Sequence, residues 1–433
     1  MSQLLESEFM KNKTLIVLGA IVVAFGWRVE AQTYDTNNVV VSTFAGSGFS
    51  GYVDGVGVNT MFNNPSAIVA DSSSNLFVWD SGNSRVRKIT PDGSVSSFAQ
   101  IKFYTVGSMA IDHSNNLWLS AHDPSSGGSL GGYLYRIDSN ANVSSTRLNY
   151  TYSINGFHFI SGVCVDSGNN IYYTDYYGNK IYRYKTNGVT EVFAGSGNSG
   201  STDGNGIFTS FSGPGPLTAD VADNIYVFDY GSQLIRRINQ NRDVVTIAGV
   251  VANFADIDGV GTNASFTPIG AMCRDSDGNV ILASGYHIPG QISLSSGSAI
   301  RKMNPATNVV TMAGSFSQQG YANGTGNVAL FANASGVCVS QGAIFVADTG
   351  NQRIRKITYN PQIVTRANLA ISTAASVTIS ITGTIGHTYQ IQSSLNMSTW
   401  TTNVTAFLTS SPYLWIDTNR VSGNKFYRAL LMP

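Results

Sequence analysis

The stretch "IFVADTGNQRIRKITYNPQIV", residues 344–364, repeats an earlier part of the chain almost residue for residue. The earlier copy, "LFVWDSGNSRVRKITPDGSVSSFAQ", residues 76–100, continues past the shared "RKIT" into a further strand-like segment, "SVSSFA". The later copy has no such segment and runs into Pro361 instead. An incomplete unit would expose an unpaired strand edge, so the sequence predicts that another segment supplies the missing strand.

The same pattern recurs as six copies of a four-strand unit, the first of which begins at Ser66. Each copy has a short first strand, a turn rich in Asn, Gly and Ser, a second strand such as "LFVWD" or "IYYTD", and a third strand with one apolar position followed two residues later by a cation. The apolar residues are Val86, Leu134, Ile181, Ile235, Ile300 and Ile354, and the cations are Lys88, Arg136, Arg183, Arg237, Lys302 and Lys356. Short apolar strands without helical periodicity indicate an all-β repeat.

The missing fourth strand of the last unit lies before the first unit. The segment "VVVSTFAGSG", residues 39–48, matches "NVVTMAGS", residues 308–315, which is the fourth strand of the fifth unit. No earlier strand is available to pair with it. We therefore expect Val39 to Ala45 to pair antiparallel with Arg353 to Thr358 and to close a ring of six units, which removes the unpaired edges of an open array.

The copies "DSGNSRVRKI" and "DTGNQRIRKI" resemble NHL repeats. The resemblance covers about residues 39–358 and implies a six-bladed β-propeller over residues 38–360. Units 2 and 5 depart from it, with Ala121 and Ser284 at a position that is Asp in the other units. Those aspartates are Asp80, Asp175, Asp229 and Asp348. Relatives of this fold include hydrolases and lyases that hold a metal ion near the central axis through His or carboxylate side chains.

The first 31 residues read as an export signal rather than as part of the fold. From Met10, the expected start of translation, the chain has two lysines, an apolar run from Leu15 to Trp27 and a small-residue cleavage pattern ending at Ala31. A membrane anchor is the alternative, but a run of about thirteen residues is short for a span that needs about 20. We expect a secreted or cell-surface protein with no membrane span after cleavage.

Residues 361–433 lack the repeat and are rich in Thr, Ser, Val and Ile in alternating patterns. About seventy such residues predict a small β-sandwich-like domain. The segments "YQIQSSLNMSTW" and "NKFYRALL" resemble the C-terminal modules of some secreted bacterial proteins. That resemblance leaves adhesion, cell-surface sorting and simple spacing open as roles.

Composition and cysteines limit the function classes. Only 12% of the 433 residues are charged, with 25 cations balancing 25 anions, so no electrostatic bias towards nucleic acid or anionic lipid exists. The three cysteines, Cys164, Cys273 and Cys338, align at one position of the repeat that holds a small side chain in every unit. Equivalent points on neighbouring blades should lie beyond the roughly 7 Å limit for a disulfide, so we predict free, buried thiols.

Two repeated features admit a structural and a ligand-binding interpretation. The motifs "DGVG", "DGNG", "DGVG" and "NGTG" are followed eight residues later by Phe, and five first strands end in Asp. The motifs begin at Asp54, Asp203, Asp258 and Asn323, the phenylalanines are Phe62, Phe211, Phe266 and Phe331, and the strand-end aspartates are Asp71, Asp112, Asp166, Asp220 and Asp275. A sugar or cation site is one interpretation of each. We favour glycine turns with a Phe between blades, and aspartates that open tight turns and pair with the third-strand cations.

Units 2 and 5, which sit opposite each other in a ring of six, have long connections between their second and third strands. These connections, Ser120–Gly132 and Ser284–Ser298, contain our ligand-binding candidates. The candidates are His122, Asp123, Tyr286 and His287. Polar loops on a rigid frame are common binding sites, although unselected insertions are the alternative.

No catalytic residue, metal ligand or cofactor is predicted. The strands nearest the axis contain no histidine, and His113, His158 and His387 share no ligand-like spacing. No G-x-S-x-G nucleophile motif appears in a strand-turn-helix setting either. We expect an exported, non-catalytic scaffold that binds a protein or carbohydrate through one propeller face and does not bind nucleic acid; the alternative is a metal-dependent hydrolase or lyase with an atypical site.

Overall fold

The computed structural model describes residues 17–18, 39–101, 105–122, 132–148, 160–285, 297–359, 368–373, 377–382, 388–394, 401–407, 413–417 and 426–431. The chain divides into two compact units, of which one is Tyr34–Tyr359 and the other comprises the remaining residues. Among the described residues, no helix has both the length and the apolar character that crossing a membrane would require.

The larger unit is a β-propeller of six antiparallel blades, in which each inner strand contacts the inner strand of the next blade around the ring. Blades 1 to 3 are formed by Pro65–Ala70, Leu76–Asp80, Arg85–Ile89 and Ser94–Gln100; by Thr105–Ile111, Leu117–His122, Gly132–Ile137 and Val143–Arg147; and by Ile160–Val165, Ile171–Asp175, Lys180–Tyr184 and Thr190–Ala194. Blades 4 to 6 are formed by Pro214–Ala219, Ile225–Asp229, Leu234–Ile238 and Asp243–Ala248; by Ile269–Arg274, Val280–Ser284, Ser298–Met303 and Asn308–Ser315; and by Ala334–Ser340, Ala343–Asp348, Arg353–Tyr359 and Val39–Ala45. The six-bladed β-propeller predicted from the sequence is therefore confirmed.

The closing strand is the one that the sequence predicts. Val39–Ala45 pairs antiparallel with Arg353–Tyr359, with Val41 opposite Ile357, and so completes blade 6. Val39 and Val41 are each 1% exposed and pack in the core between blades 5 and 6. Burying a valine side chain contributes about 1.5–3 kcal/mol, so the strand adds core packing as well as backbone pairing.

The "DGxG" connections are structural, as favoured from the sequence. In blades 1, 4, 5 and 6 the motif adds a two-residue fifth strand at the outer edge: Gly55–Val56, Gly204–Asn205, Gly259–Val260 and Gly324–Thr325. In blades 1, 4 and 5 the chain then turns through a glycine with positive φ, such as Gly57 at 57°. The following Phe is fully buried in all four copies; Phe62, for example, packs with Val78 of blade 1 and Ile354 of blade 6.

The aspartates at the ends of the inner strands open turns. Asp71 Oδ1 accepts hydrogen bonds from the backbone N–H groups of Ser73 and Asn75, at 2.9 and 2.8 Å. Asp112, Asp220 and Asp275 make the same pair of bonds to the residues two and four positions later. These bonds support the interpretation of the aspartates as turn residues.

The cysteines are free and occupy equivalent positions opposite the second strand. Burial raises the pKa of all three thiols. Cys164 and Cys338 are buried, as predicted, whereas Cys273 is half-buried. All three cysteines lie on inner strands that line the central cavity.

In the second unit, the described strands form two antiparallel sheets. One contains Val17–Leu18, Phe426–Leu431, Thr388–Ser394 and Thr401–Phe407 in spatial order, and the other contains Asn368–Thr373, Val377–Thr382 and Tyr413–Asp417. Two such sheets are consistent with the sandwich-like domain that the sequence predicts. The packing of one sheet on the other stays a prediction.

Candidate functional site

The connections from fourth to first strands and from second to third strands meet on one side of the propeller, which we call the loop face. In blade 1, Asp80 Oδ1 accepts a hydrogen bond from the backbone N–H of Asn63 at 2.6 Å, and Asn83 Nδ2 donates to the carbonyl of Gly51 at 2.9 Å. In blade 6, Asn351 Nδ2 donates to the carbonyl of Gly320 at 2.7 Å. The two kinds of connection therefore hold each other in place.

Beneath the loop face lie four arginine side chains that are completely buried. They are Arg87, Arg236, Arg301 and Arg355. In blade 1, Arg87 Nη1 donates to Asp80 Oδ2 at 2.9 Å and to the carbonyl of Met61 at 3.1 Å. Its Nη2 donates to Asp54 Oδ1 at 2.5 Å and to the carbonyl of Val53 at 3.1 Å. We call each such arginine with its acceptors an arginine cluster.

Aromatic rings cover the guanidinium groups. The carbon of the Arg87 guanidinium lies 4.8 Å from the ring centre of Tyr52 and 5.2 Å from that of Phe62. Arg355 lies in the same way between Tyr321, at 4.8 Å, and Phe331, at 5.1 Å. Cation–π contacts of this kind strengthen when the cation is desolvated. The Phe that follows each "DGxG" motif therefore also covers a buried charge.

Burial changes the acid–base behaviour of the carboxyl groups in these clusters. It raises the pKa of Asp80, Asp256 and Asp348, against the opposing effect of hydrogen bonds and of the neighbouring arginine. The pKa of Asp229 rises to about 6 for the same reason. Both Nη atoms of Arg87 are already committed to protein acceptors. The clusters therefore fix the loops and offer no free donor pair to a ligand.

The repeat pattern did not predict these arginines, because the cation that all six units share lies one residue further along the chain. The structure shows that the cluster forms in the four blades whose entering connection carries "DGxG" or "NGTG". Blades 2 and 3, which lack that motif, have Tyr135 and Tyr182 at the arginine position. The joint occurrence of the motif and the arginine is a signal that was present in the sequence.

The third-strand cations that all six units share have varied partners. Arg136 Nη2 donates to Asn116 Oδ1 at 2.8 Å, and Arg183 Nε donates to Glu191 Oε1 at 2.8 Å. The ammonium of Lys356 lies 5.8 Å from the ring centre of Phe44. Burial lowers the pKa of Lys302 to about 8, although the charge of Asp275 opposes the shift. The expectation that these cations pair with the strand-end aspartates is therefore wrong for blades 2 and 3, where other acceptors are available, and blade 6 has Ser340 in place of that aspartate.

The predicted ligand-binding residues lie in or beside segments outside the described residues. His122 is the last residue of the second strand of blade 2, and its backbone is paired with Thr105 and Gly132. Its side chain, and all of Asp123, Tyr286 and His287, fall outside the described part of the structure. The candidates therefore stay predictions.

A central cavity of about 240 Å³ is lined by the inner strands of all six blades. Arg274 lies at this lining, where the other blades have Ala, Ile or Val. Its Nη2 donates to the carbonyl of Gly278 at 2.6 Å, and its Nη1 lies 3.6 Å from Asp220 Oδ2. Within the described ranges, no three His, Cys, Asp or Glu side chains are placed to hold one metal ion.

A second pocket, of about 210 Å³, opens on the loop face between blades 3 and 4. Its lining consists of Tyr176, Tyr177, Asn179, Ser212, Gly213 and Gly231. The Tyr177 side chain is exposed, and the rings of Tyr176 and Tyr177 meet edge to face with centres 5.0 Å apart. Sequence reasoning did not select these residues, because they belong to an ordinary short connection.

Comparison with known proteins agrees with this fold. The NHL repeat family model matches residues 331–357. Over 196 residues the chain is 30% identical to Protein SUPPRESSOR OF QUENCHING 1, chloroplastic, from Arabidopsis thaliana, covering 42% of this chain but only 17% of that protein.

Among solved structures, a protein of unknown function from Bacteroides thetaiotaomicron is similar with 21% identity, coverage of 74% of this chain and 76% of that chain, and a TM-score of 0.60. An auxiliary nutrient binding protein from the same species is similar with 17% identity, the same coverages and a TM-score of 0.58. At these identities the likeness establishes the fold. The chain is a six-bladed β-propeller, and residues 331–357 of its sixth blade match the NHL repeat.

Proposed function

We propose that this protein is exported and acts as a non-catalytic scaffold that binds a protein or carbohydrate through the loop face. The observation that carries the proposal is the construction of that face. Buried arginine clusters fix its connections in four blades. The long connections of blades 2 and 5 begin on the same face, where their second strands end at His122 and Ser284. A rigid frame that presents polar loops is the usual construction of a binding site.

The residues of the two long connections suit recognition of a polar partner. His122 and His287 supply ring nitrogens, Asp123 supplies carboxylate acceptors, and Tyr286 combines an aromatic face with a hydroxyl. Because blades 2 and 5 are opposite, a ligand held over the channel mouth would contact both connections. The nutrient binding role named for one protein of similar fold makes soluble nutrients and glycans a reasonable first set of ligands to screen.

The test screens the full-length protein against immobilised glycans and peptides and then alters the loops. Replacing residues 123–131 and 286–296 with the short connection "SGNS" of blade 1 should weaken binding at least about tenfold, since both contact surfaces are lost. His122→Ala and His287→Ala should each weaken binding while leaving Tm nearly unchanged, because substitutions in surface connections usually cost under about 0.5 kcal/mol. His113→Ala, in a turn on the opposite face, is the matched control. Unaltered affinity in the loop-replaced protein would place binding elsewhere.

A further inference from the structure

The pocket between blades 3 and 4 has walls that are fixed by hydrogen bonds. Asn179 Oδ1 accepts a bond from the backbone N–H of Gly213 at 2.9 Å, and Asn179 Nδ2 donates to the carbonyl of Gly197 at 3.3 Å. On the other side, the N–H of Gly231 donates to the carbonyl of Ser212 at 2.6 Å. The pocket is therefore preformed, which reduces the ordering cost of binding a ligand.

Blade 3 differs from its counterparts at this connection. The position of Tyr177 is occupied by Gly82, Gly231 and Gly350 in blades 1, 4 and 6. A Cβ at those glycines would lie 2.3, 2.1 and 2.9 Å from atoms of Asn63, Ser212 and Ala332, so a side chain there would require these neighbours to shift. Tyr177 has a side chain at this position that is 57% exposed. The turn does not need an aromatic ring, so the ring calls for another explanation.

The lining of the pocket is aromatic and polar but carries no charged side chain among its described residues. The nearby carboxylates are committed to backbone donors: Asp175 Oδ1 accepts from Gly178 at 2.9 Å and Asp229 Oδ1 accepts from Ser212 at 2.7 Å. A neutral ligand is therefore favoured over an ion, because an ion would gain no opposite charge in exchange for its hydration.

The polar groups of the lining retain capacity for hydrogen bonds. Ser212 Oγ accepts a bond from Ser199 Oγ at 3.0 Å, which leaves its own proton to donate. Asn179 Nδ2 carries two protons, one of which is used by Gly197. One hydroxyl donor and one amide donor beside an exposed tyrosine face suit a molecule with an apolar face and several hydroxyl groups.

We propose that this pocket binds one pyranose ring of a carbohydrate, which stacks its C–H face on Tyr177 while Ser212 and Asn179 donate to its hydroxyl oxygens. A volume of about 210 Å³ is below the roughly 300–1,000 Å³ of pockets for drug-sized ligands, so the site accommodates a single ring. The inference rests on the proposed binding function and specifies its ligand class. It adds a contact at blades 3 and 4 to those proposed for the long connections on the same face.

The experiment uses full-length protein and four probes: the methyl glycosides of glucose, galactose, mannose and N-acetylglucosamine. Ligand-observed saturation-transfer NMR should detect at least one of them with a Kd of about 1 mM, and the ring C–H protons should receive the strongest transfer. Tyr177→Gly, which introduces the residue of the other blades, should weaken binding about tenfold, and Ser212→Ala should weaken it about threefold. Tyr177→Trp should retain binding. Phe49→Ala, which removes an aromatic ring 72% exposed in the connection entering blade 1, is the matched control.

The outcomes separate the two proposals. Failure of all four glycosides to bind, or binding that Tyr177→Gly leaves unaltered, would overturn the assignment of the pocket. If replacement of the long connections abolishes binding to an arrayed ligand while Tyr177→Gly does not, the result supports the scaffold function and contradicts the pyranose site. The reverse pattern would support the pocket and remove the long connections from the binding surface.

Discussion

Blades 1, 4, 5 and 6 bury an arginine cluster under the loop face, whereas blades 2 and 3 place a tyrosine at the same position. The clustered blades gain a fifth outer strand from the "DGxG" connection, and each arginine bonds to an Asp or Asn of that connection. The arginine and its connection therefore form one structural unit. The comparison teaches that a propeller blade can be completed by a buried charge network or by aromatic packing.

Aromatic packing is most evident in blade 3. Its second and third strands contain Tyr172, Tyr173, Tyr182 and Tyr184, and the rings of Tyr173 and Tyr182 stack with centres 5.2 Å apart and an interplanar angle of 11°. Burial raises the pKa of both phenols. The same blade carries Tyr177, whose side chain is exposed.

We expect the largest loss of stability from removing the strand that completes blade 6, which is one of the four blades that contain an arginine cluster. A chain that begins at Ser47 loses the buried side chains of Val39 and Val41 and exposes the backbone of Arg353–Tyr359. Two buried valines alone contribute about 5 kcal/mol, so we expect Tm to fall by at least about 10 °C or the protein to aggregate. Differential scanning calorimetry measures the change, and a truncated protein that melts with the full chain would contradict ring closure.

Breaking one arginine cluster should have a smaller but still large effect. Arg355→Leu leaves the carboxyl of Asp348 buried without its partner, and removal of one member of such a pair costs about 3–5 kcal/mol. Tyr182→Phe, at the equivalent position of blade 3, removes one hydroxyl group and should cost about 1 kcal/mol. Urea unfolding compares the two variants. Equal costs would show that the clustered and aromatic blades do not differ in how they are held together.

The smallest expected effect is a pH dependence of the free energy of unfolding that arises from Asp229 in blade 4, one of the blades with an arginine cluster. Burial raises the pKa of Asp229 from 3.8 to about 6, so the folded state favours its protonated form. Its contribution to stability is therefore complete below about pH 4 and is lost as the pH rises through about 6. Relative to Asp229→Asn, the free energy of unfolding of the wild type should fall by about 2 kcal/mol between pH 4 and pH 7. Parallel pH profiles would contradict the assignment of the shift to this carboxyl group.

The closing strand could be predicted because it completes a pattern. Residues 39–45 match the fourth strands of other units, and Arg353–Tyr359 has no fourth strand after it. The Phe between blades was predictable for a related reason. A large apolar side chain that recurs at constant spacing from a glycine turn is expected to be buried in the core. Both inferences depend on spacing and hydrophobicity, which a sequence shows directly.

The arginine clusters could not be read from hydrophobicity. Arg87 lies between Val86 and Lys88 in the third strand, and a charged residue there is ordinarily assigned to the solvent-exposed face. Its burial depends on acceptors from Asp54 and Asp80, which are 33 and 7 residues away. The exposure of Tyr177 depends in the same way on how close another connection approaches, and only the structure supplies that distance.

Ring closure also sets an order of events during synthesis. The strand Val39–Ala45 is made before every other strand of the propeller, and its partner Arg353–Tyr359 is made last. Ser42 and Lys356, which face each other across this pair, are 314 residues apart, and pairing over such a separation forms slowly. Until it forms, the nascent chain carries an unpaired edge at each end that can capture the complementary edge of another copy. A chain released before residue 353 cannot close its ring at all.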